Sequence, residues 1–184
     1  MCETGPLGWT TADAPALDEG EFGDTISDHT VWSCAGSMTA VRSIRSRVRE
    51  FLTEARGASS GRPPIPRTVL DDTELATSEL ATNALLHSRS GEIGGVMTLF
   101  LRLDAQRLRV AVADQGHRSV AEPHPLRAGE DTFGRGQLIV DSCTSRSGEY
   151  HTEASHVAWF EIDLVPQTPD DGEDGVVQRQ GVRP

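Results

Sequence analysis

Lysine is absent from this sequence of 184 residues, in which all 17 basic residues are arginine. A P-loop nucleotide hydrolase needs a lysine on its phosphates, a protein kinase of the eukaryotic type needs one on its third strand, and a pyridoxal enzyme needs one for its Schiff base. The absence of lysine excludes all three classes. Any phosphate bound by this chain must therefore be held by backbone N–H groups, by arginine or by a metal ion.

Cysteine is also scarce, because the chain has only Cys2, Cys34 and Cys143 and no Cys-x-x-Cys spacing. This number and spacing exclude a disulfide framework and a zinc cluster, and reduced thiols in a cytoplasm are the simplest interpretation. The N-terminus lacks the basic and apolar regions of a signal peptide, and no segment is long and apolar enough to cross a bilayer. We therefore expect a cytoplasmic protein.

The formal net charge is -11, from 28 acidic and 17 basic residues, and it argues against direct binding of nucleic acid. Residues 1–29 hold seven acids and no arginine, and residues 166–184 hold four acids and two arginines. The other 17 acids and 15 arginines nearly balance between residues 30 and 165. We predict a disordered acidic leader at 1–29, one domain at 30–165 and a disordered acidic tail at 166–184.

Apolar periodicity divides the predicted domain into helices and strands. A strand is expected at 30–34, a helix from an N-cap at Ser37 to about Arg56, and a second helix from about Thr68 to about Ser88. A hairpin follows at 96–103 and 108–113, and the polar stretch 115–133 is interpreted as a lid over a ligand. A third helix at 134–143 and strands at 146–151 and 156–164 complete the prediction.

Two helix faces carry further expectations. The apolar stripe of the second helix is predicted to consist of Leu75, Ala76, Leu80 and Ala84. One face of the first helix carries three arginines, and solvation is favoured over contact with an acidic partner. These arginines are Arg42, Arg45 and Arg49.

Glu79 and Asn83 lie four residues apart on the second helix, hence one turn apart on the same face. Both could address one magnesium-bound phosphate group, although the spacing alone is also common on solvated helix faces. The amide oxygen of Asn83 is a hard ligand suited to Mg²⁺, and Glu79 could orient or deprotonate a nucleophile. His87, one turn later, could touch phosphate or metal, but the nearby apolar stripe favours a structural role.

Further motifs follow in an order that favours a nucleotide site. Asp114, at the end of a buried strand, could accept a hydrogen bond from an adenine amino group, and Gly116 would let the backbone approach the base. Gly134 and Gly136 open the third helix, whose N–H groups and dipole can face phosphate. Arg135 between them could bind a phosphate, and a solvated side chain is the equal alternative. Each motif alone is explained by a turn or a helix junction.

Four segments together resemble the histidine-kinase-like (GHKL, Bergerat-fold) ATPases, and within them the branch of the anti-sigma-factor serine/threonine kinases. The segments are Glu79–His87, Val112–Gly116, Gly134–Val140 and Val157–Ile162. The resemblance covers roughly residues 30–165. It implies a two-layer α/β (α+β) sandwich, with a mixed, largely antiparallel sheet covered on one face by three helices, and ATP held under a lid.

The resemblance also implies residue roles. ATP and Mg²⁺ would be the cofactors, with Glu79 as catalytic base, Asn83 as magnesium ligand and Asp114 as the adenine-binding residue. The nucleotide-contacting glycines would be Gly116, Gly134 and Gly136. The expected activity is transfer of the γ-phosphate to a Ser or Thr of an anti-anti-sigma protein. The alternative is a non-catalytic nucleotide-binding switch that controls a sigma factor or another partner by stoichiometric binding. A homodimer formed through the first helix and first strand is implied by the resemblance alone.

Three positions depart from the family pattern. Gln137 stands where an apolar residue usually follows the second glycine, and the turn at 146–149 lacks the tryptophan that many relatives have. The pair Ser155-His156 replaces the Gly-Lys commonly found before the final strand. We expect ATP binding to survive these changes more easily than kinase activity.

Overall fold

The computed structural model of the protein describes residues 28–56, 63–116, 135–152 and 155–164. Most of the predicted leader, most of the predicted lid and all of the predicted tail lie outside these residues. The described strands are β1 (Asp28–Ala35), β2 (Val96–Leu103), β3 (Arg107–Asp114), β4 (Arg146–His151) and β5 (His156–Asp163). The described helices are α1 (Met38–Ala55), α2 (Arg67–His87) and α3 (Arg135–Cys143), with a short 3-10 turn at Arg89–Gly91.

The five described strands form one sheet in the order β1-β2-β3-β5-β4, and each neighbouring pair is antiparallel. β2 and β3 form the predicted hairpin. Its turn is closed by Asp104, whose side-chain Oδ1 accepts hydrogen bonds from the backbone N–H groups of Gln106 (2.7 Å) and Arg107 (2.8 Å). This is the local turn chemistry expected of aspartate. The predicted fold class, an α+β sandwich with three helices over a sheet, is confirmed.

One face of the sheet carries the core. Because side chains alternate between the faces of a strand, every second residue of β2, β3 and β5 points towards the helices. Each helix contributes buried residues to the same cluster, so the core lies between one sheet layer and one helix layer. Its strand members include Leu101, Val110 and Phe160, and its helix members include Ile44, Val48, Leu52, Ala76, Leu80, Ala84 and Val140.

The opposite face of the sheet holds a smaller apolar cluster and a group of ion pairs. The Arg109 guanidinium lies 4.5 Å from the centre of the Trp159 ring, within range of a cation–π contact. Glu161 is only 3% exposed and lies 3.3–3.4 Å from the guanidinium nitrogens of Arg107, Arg109 and Arg146. A buried carboxylate requires such partners, and here arginine supplies them.

The predicted elements agree with the described ones to within about two residues at each end, but one residue of the predicted α2 stripe was wrong. Leu75 is 43% exposed and does not belong to the buried stripe of α2. The stripe instead includes Thr73 and Thr77, whose hydroxyls donate to backbone carbonyls one turn earlier at 2.6 Å. This bonding satisfies the hydroxyls within the helix and lets polar residues occupy core positions.

The arginine face of α1 is exposed, as predicted for Arg42, Arg45 and Arg49. Arg49, however, reaches α2, where its Nη2 lies 2.6 Å from Oε1 of Glu74. The Arg49 side chain is 58% exposed, so the free energy contributed by this pair is small.

Among the described residues, no helix is long and apolar enough to span a membrane.

The turn between β1 and α1 passes directly against the residues that follow α2. The backbone N–H of Gly36 donates to the carbonyl of Gly95 at 2.8 Å. A Cβ placed on Gly36 would lie 1.6 Å from the backbone oxygen of Ser90. Because that oxygen belongs to the main chain, it cannot turn aside as a side chain could, and only glycine fits.

This close contact predicts a large difference between two neighbouring substitutions. Gly36→Ala should destabilise the fold by about 3 kcal/mol or more, since the new methyl group must displace backbone. Ser37→Ala should change stability by less than about 0.5 kcal/mol. Although Ser37 occupies the N-cap position of α1, its hydroxyl bonds the side chain of Thr39 and caps no backbone N–H.

Urea unfolding of both variants measures the two free energies. A loss of about 1 kcal/mol for Ser37→Ala, the usual value for a capping serine, would contradict the assigned hydroxyl partner. Equal stabilities of Gly36→Ala and the unmodified protein would contradict the backbone contact.

Candidate functional site

The structure brings Glu79 and Asn83 of α2 together with Gly136 of α3. Both α2 side chains are half-buried on the side of the helix that faces α3. A Cβ built on Gly136 would lie 2.9 Å from Oε2 of Glu79, 3.7 Å from Nδ2 of Asn83 and 3.8 Å from its Oδ1. The first turn of α3 therefore approaches the carboxylate and the amide closely, and a side chain at this position would fill the space between them.

Of the predicted phosphate-binding positions, Gly134 is not described and Arg135 begins α3. Gly134 lies outside the described residues, as does the predicted lid from residue 117 onward. Arg135 is the first residue of α3, so its backbone N–H is at the helix N-terminus, where the helix dipole favours an anion.

Asp114 ends β3 on the helix-facing side of the sheet, because it lies two residues after the core residue Val112. It is 4% exposed, and both carboxylate oxygens have partners. Oδ1 accepts from the backbone N–H of Gly116 at 2.7 Å, and Oδ2 lies 3.0 Å from Nδ1 of His156. Gly116 has φ of +73°, a left-handed backbone conformation that favours glycine. Each carboxylate oxygen has a second lone pair, so Asp114 can still accept a hydrogen bond from a ligand.

His156 was noted in the sequence only as a departure from the family pattern, and its contact with Asp114 was not foreseen. The two residues are directly opposite each other in the antiparallel pair of β3 and β5. The other ring nitrogen, Nε2, lies 3.1 Å from Oε2 of Glu149. The hydrogen bond with Asp114 raises the pKa of His156 above its usual value; burial opposes this rise, and the charges of Asp114 and Glu149 add to it.

The loop after β3 is fixed to the 3-10 turn that follows α2. The Arg89 backbone N–H donates to the Gly116 carbonyl at 3.0 Å, and its guanidinium donates to the Gln115 carbonyl at 2.9 and 3.1 Å. The Ser90 hydroxyl accepts from the backbone N–H of Gln115 at 3.0 Å. Sequence reasoning missed these residues, although the Ser-Arg-Ser-Gly run after α2 is a turn signal.

This connection relates the two halves of the candidate site. Asn83 lies one turn before His87, the last residue of α2, which is about 6 Å along the helix axis, and Glu79 lies about 6 Å further from that end. The phosphate-side candidates lie on α2, and the loop after Asp114 is bonded to the turn that follows the same helix. His87, between them, is half-buried near the end of the helix.

The polar side chains of the candidate site suit a nucleotide bound together with its metal ion better than a metal ion alone. Within the described ranges, no group of three or more His, Cys, Asp or Glu side chains is placed to hold a metal. Mg²⁺ bound with a nucleotide takes few protein ligands besides phosphate oxygens. The Asn83 amide, the Glu79 carboxylate and the space that Gly136 leaves between them are compatible with that mode of binding.

Comparison with known proteins gives the class. Residues 37–158 match the family model of the histidine kinase-like ATPase domain. The chain belongs to this family, and membership implies that it binds ATP. No curated protein sequence matches the chain.

A solved structure shares the fold. The chain is similar to the RsbU and RsbW domains of Rv1364c from Mycobacterium tuberculosis, with 18% sequence identity and a TM-score of 0.53. The similarity covers 74% of this chain and 32% of the solved chain. The present chain thus spans about a third of that structure. At this sequence identity, the similarity shows a shared fold.

The position of Gly136 predicts a variant that folds but binds nucleotide poorly. In Gly136→Ala, the methyl group would displace the end of the Glu79 side chain, which is flexible, so stability should change by less than about 1 kcal/mol. The increase in melting temperature caused by Mg·ATP should fall to half or less of that in the unmodified protein, since the methyl group occupies the space beside Glu79 and Asn83.

Leu138→Ala, on the 69% exposed Leu138 of the same helix, is the matched control and should keep the full ATP-dependent increase. An undiminished increase in Gly136→Ala would show that nucleotide does not use the space beside Glu79 and Asn83.

Proposed function

We propose that this protein is an ATP-binding regulatory kinase of the anti-sigma-factor type. It transfers the γ-phosphoryl group of ATP to a Ser or Thr of an anti-anti-sigma partner and so regulates transcription. The observation that carries the proposal is the close approach of Gly136 to Glu79 and Asn83. Two motifs that are separated in sequence, the Glu79 and Asn83 pair of α2 and the glycine motif of α3, lie together there, which supports binding of the terminal phosphates of a nucleotide.

The phosphate end of the proposed site combines a metal ligand, a base and a helix N-terminus. Asn83 would hold Mg²⁺ through its amide oxygen, and the ion, when bound, offsets charge on the phosphates. Gly134, Arg135 and Gly136 would face the phosphates at the start of α3. With no lysine in the chain, this arrangement depends on backbone N–H groups, arginine and metal.

Glu79 is the proposed general base. It would accept the proton of the Ser or Thr hydroxyl as the hydroxyl oxygen bonds to the γ-phosphorus. The bond from that phosphorus to the bridging oxygen of ADP breaks, and ADP leaves with the bonding electron pair. The products are ADP, the phosphorylated partner and a protonated Glu79, which returns its proton to solvent.

The base end of the proposed site is Asp114 with Gly116. The Asp114 carboxylate is held in place at the end of β3 and keeps lone pairs for the adenine amino group. Among the described residues, no atom beyond the chain neighbours lies within 4 Å of the position that a Cβ on Gly116 would occupy, and this leaves room for a base. These features support adenine as the base.

The proposed partners rest on the family and on the four motif segments. The fold is shared with the solved structure that contains an RsbW domain. We propose an anti-anti-sigma protein as phosphate acceptor and a sigma factor as the regulated partner. A homodimer through β1 and α1 is also proposed, and β1 lies at one edge of the described sheet, where its outer side has no neighbouring strand.

Nucleotide binding is tested by thermal unfolding with ATP, with and without Mg²⁺. At a ligand concentration of a hundred times Kd, binding should stabilise the protein by about 2.7 kcal/mol. Asn83→Ala should lose most of the magnesium-dependent part of this gain, because the proposed metal ligand is removed. Leu75→Ala, at an exposed position of the same helix, should behave as the unmodified protein. If ATP does not raise the melting temperature of the unmodified protein, the proposed function is wrong.

Phosphoryl transfer is tested with radiolabelled ATP and a candidate anti-anti-sigma protein. Glu79→Gln should lower the transfer rate by about 10²- to 10⁴-fold, the usual contribution of a general base, while ATP affinity stays within about threefold. Transfer at the full rate in Glu79→Gln would contradict the role of Glu79. ATP binding and partner binding without any transfer would instead support the stoichiometric switch.

A further inference from the structure

Three side chains from three neighbouring strands form a continuous hydrogen-bonded chain at the end of the sheet. His156 of β5 lies between Asp114 of β3, at 3.0 Å from Nδ1, and Glu149 of β4, at 3.1 Å from Nε2. The Asp114 side chain is 5% exposed, that of His156 22% and that of Glu149 70%. This series of hydrogen bonds thus runs from the buried carboxylate of Asp114, in the candidate adenine site, to solvent.

All three side chains lie on the face of the sheet that the helices cover. Asp114 is opposite His156 in the register of β3 and β5, and Glu149 is opposite Ala158, which packs on the main core. Since residues two apart share a face, His156 and Ala158 point to the same side. The chain of contacts is therefore on the same side of the sheet as Glu79 and Asn83.

A buried carboxylate that must recognise a base needs a fixed orientation. The Gly116 N–H holds Oδ1 of Asp114, and the described contact that holds Oδ2 is His156. The lone pairs that remain on Asp114 then point in set directions. Without His156, the carboxylate could rotate about its last bond and would lose a partner, which is costly in a buried position.

We propose that His156 is a positioning residue that orients Asp114 for adenine binding and makes adenine-nucleotide affinity depend on pH. This inference rests on the proposed nucleotide site. His156 itself need not touch the nucleotide, since it acts through Asp114.

The protonation state of His156 decides how many of its contacts are favourable. Imidazolium donates from both ring nitrogens, so it can bond Asp114 and Glu149 at the same time. Neutral imidazole donates from only one nitrogen, and the lone pair of the other would then face a carboxylate. Loss of the proton also removes a positive charge from the base end of a site that is proposed to bind a polyanion. Both effects weaken nucleotide binding as pH rises.

The groups that face His156 set the pH range. Asp114 faces it from β3, and Glu149 and His151 face it from β4, with 4.7 Å between the centres of the two histidine rings. The hydrogen bond with Asp114 is the largest cause of the raised pKa of His156. The folded-state pKa of His156 is above the usual 6.5. The contribution of protonated His156 to the stability of the folded protein is therefore fully present below pH 6.5 and is lost as pH rises through the folded-state pKa.

The test measures ATP affinity by calorimetry at pH values from 6 to 9, with GTP as the probe of base selectivity. His156→Asn is the matched variant, because its amide NH₂ can replace the Nδ1 donor to Asp114 but cannot titrate. Between pH 6 and pH 9, the ATP affinity of the unmodified protein should fall. This fall should be about threefold to tenfold larger than the fall measured for His156→Asn. His156→Ala should bind ATP more weakly at low pH and discriminate less against GTP.

A second readout needs no nucleotide. The pKa of His156 in the ligand-free protein, measured by NMR of labelled histidine, should lie above 6.5 and should fall in Glu149→Gln and further in Asp114→Asn. Saturating ATP should raise the pKa of His156 in the unmodified protein, because affinity that falls as pH rises requires the complex to bind the proton more tightly.

The possible failures are distinguishable. If the unmodified protein binds no ATP at any pH, the proposed nucleotide site and the inference that rests on it both fail. If it binds ATP but shows the same pH profile as His156→Asn, the inference about His156 is wrong and the nucleotide site stands. A His156 pKa that does not change when ATP binds would also overturn the inference.

Discussion

The packing of α2 on the sheet is the interaction on which the rest of the structure depends. Ala76, Ala81 and Ala84 are buried, and their small side chains let the helix lie close to β3 and β5. Larger residues from the strands, such as Phe160 and Leu101, fill the space between the layers, and each such burial contributes about 1.5–3 kcal/mol. The rotation of α2 that buries these alanines turns another side of the helix towards α3. The positions of the catalytic candidates therefore follow from hydrophobic burial.

The polar residues at the ends of the strands form a second layer of organisation. Buried polar groups need partners, and Asp114 obtains them from Gly116 and His156. The 3-10 turn after α2 then holds the same loop through Arg89. The end of β3, the end of α2 and the start of β5 are thus joined by hydrogen bonds, and the protein itself holds Asp114 of the candidate site in place.

The absence of lysine gives arginine several different tasks. On the face of the sheet remote from the helices, arginines surround the buried carboxylate of Glu161 and one of them stacks on Trp159. Between helices, Arg49 pairs with Glu74, and beside the site Arg89 bonds two backbone carbonyls through its main-chain and side-chain N–H groups. Guanidinium can make these planar, multiple hydrogen bonds, which an ammonium group cannot. At least part of the arginine content therefore serves the fold.

The sequence by itself determined the elements, the fold class and the candidate residues of the phosphate end. Periodicity and turn residues are local properties, so the helices and strands could be predicted to within a few residues, and Glu79 and Asn83 share a helix face by spacing alone. The proximity of Gly136 to both residues, the exposure of Leu75 and the pairing of Arg49 with Glu74 depend on how helices pack, which no local pattern specifies. The clearest case is His156, which is 42 residues away from Asp114 in sequence. Only the register of β3 against β5 places its ring nitrogen beside that carboxylate, because strand pairing is set by the whole core and not by either strand alone.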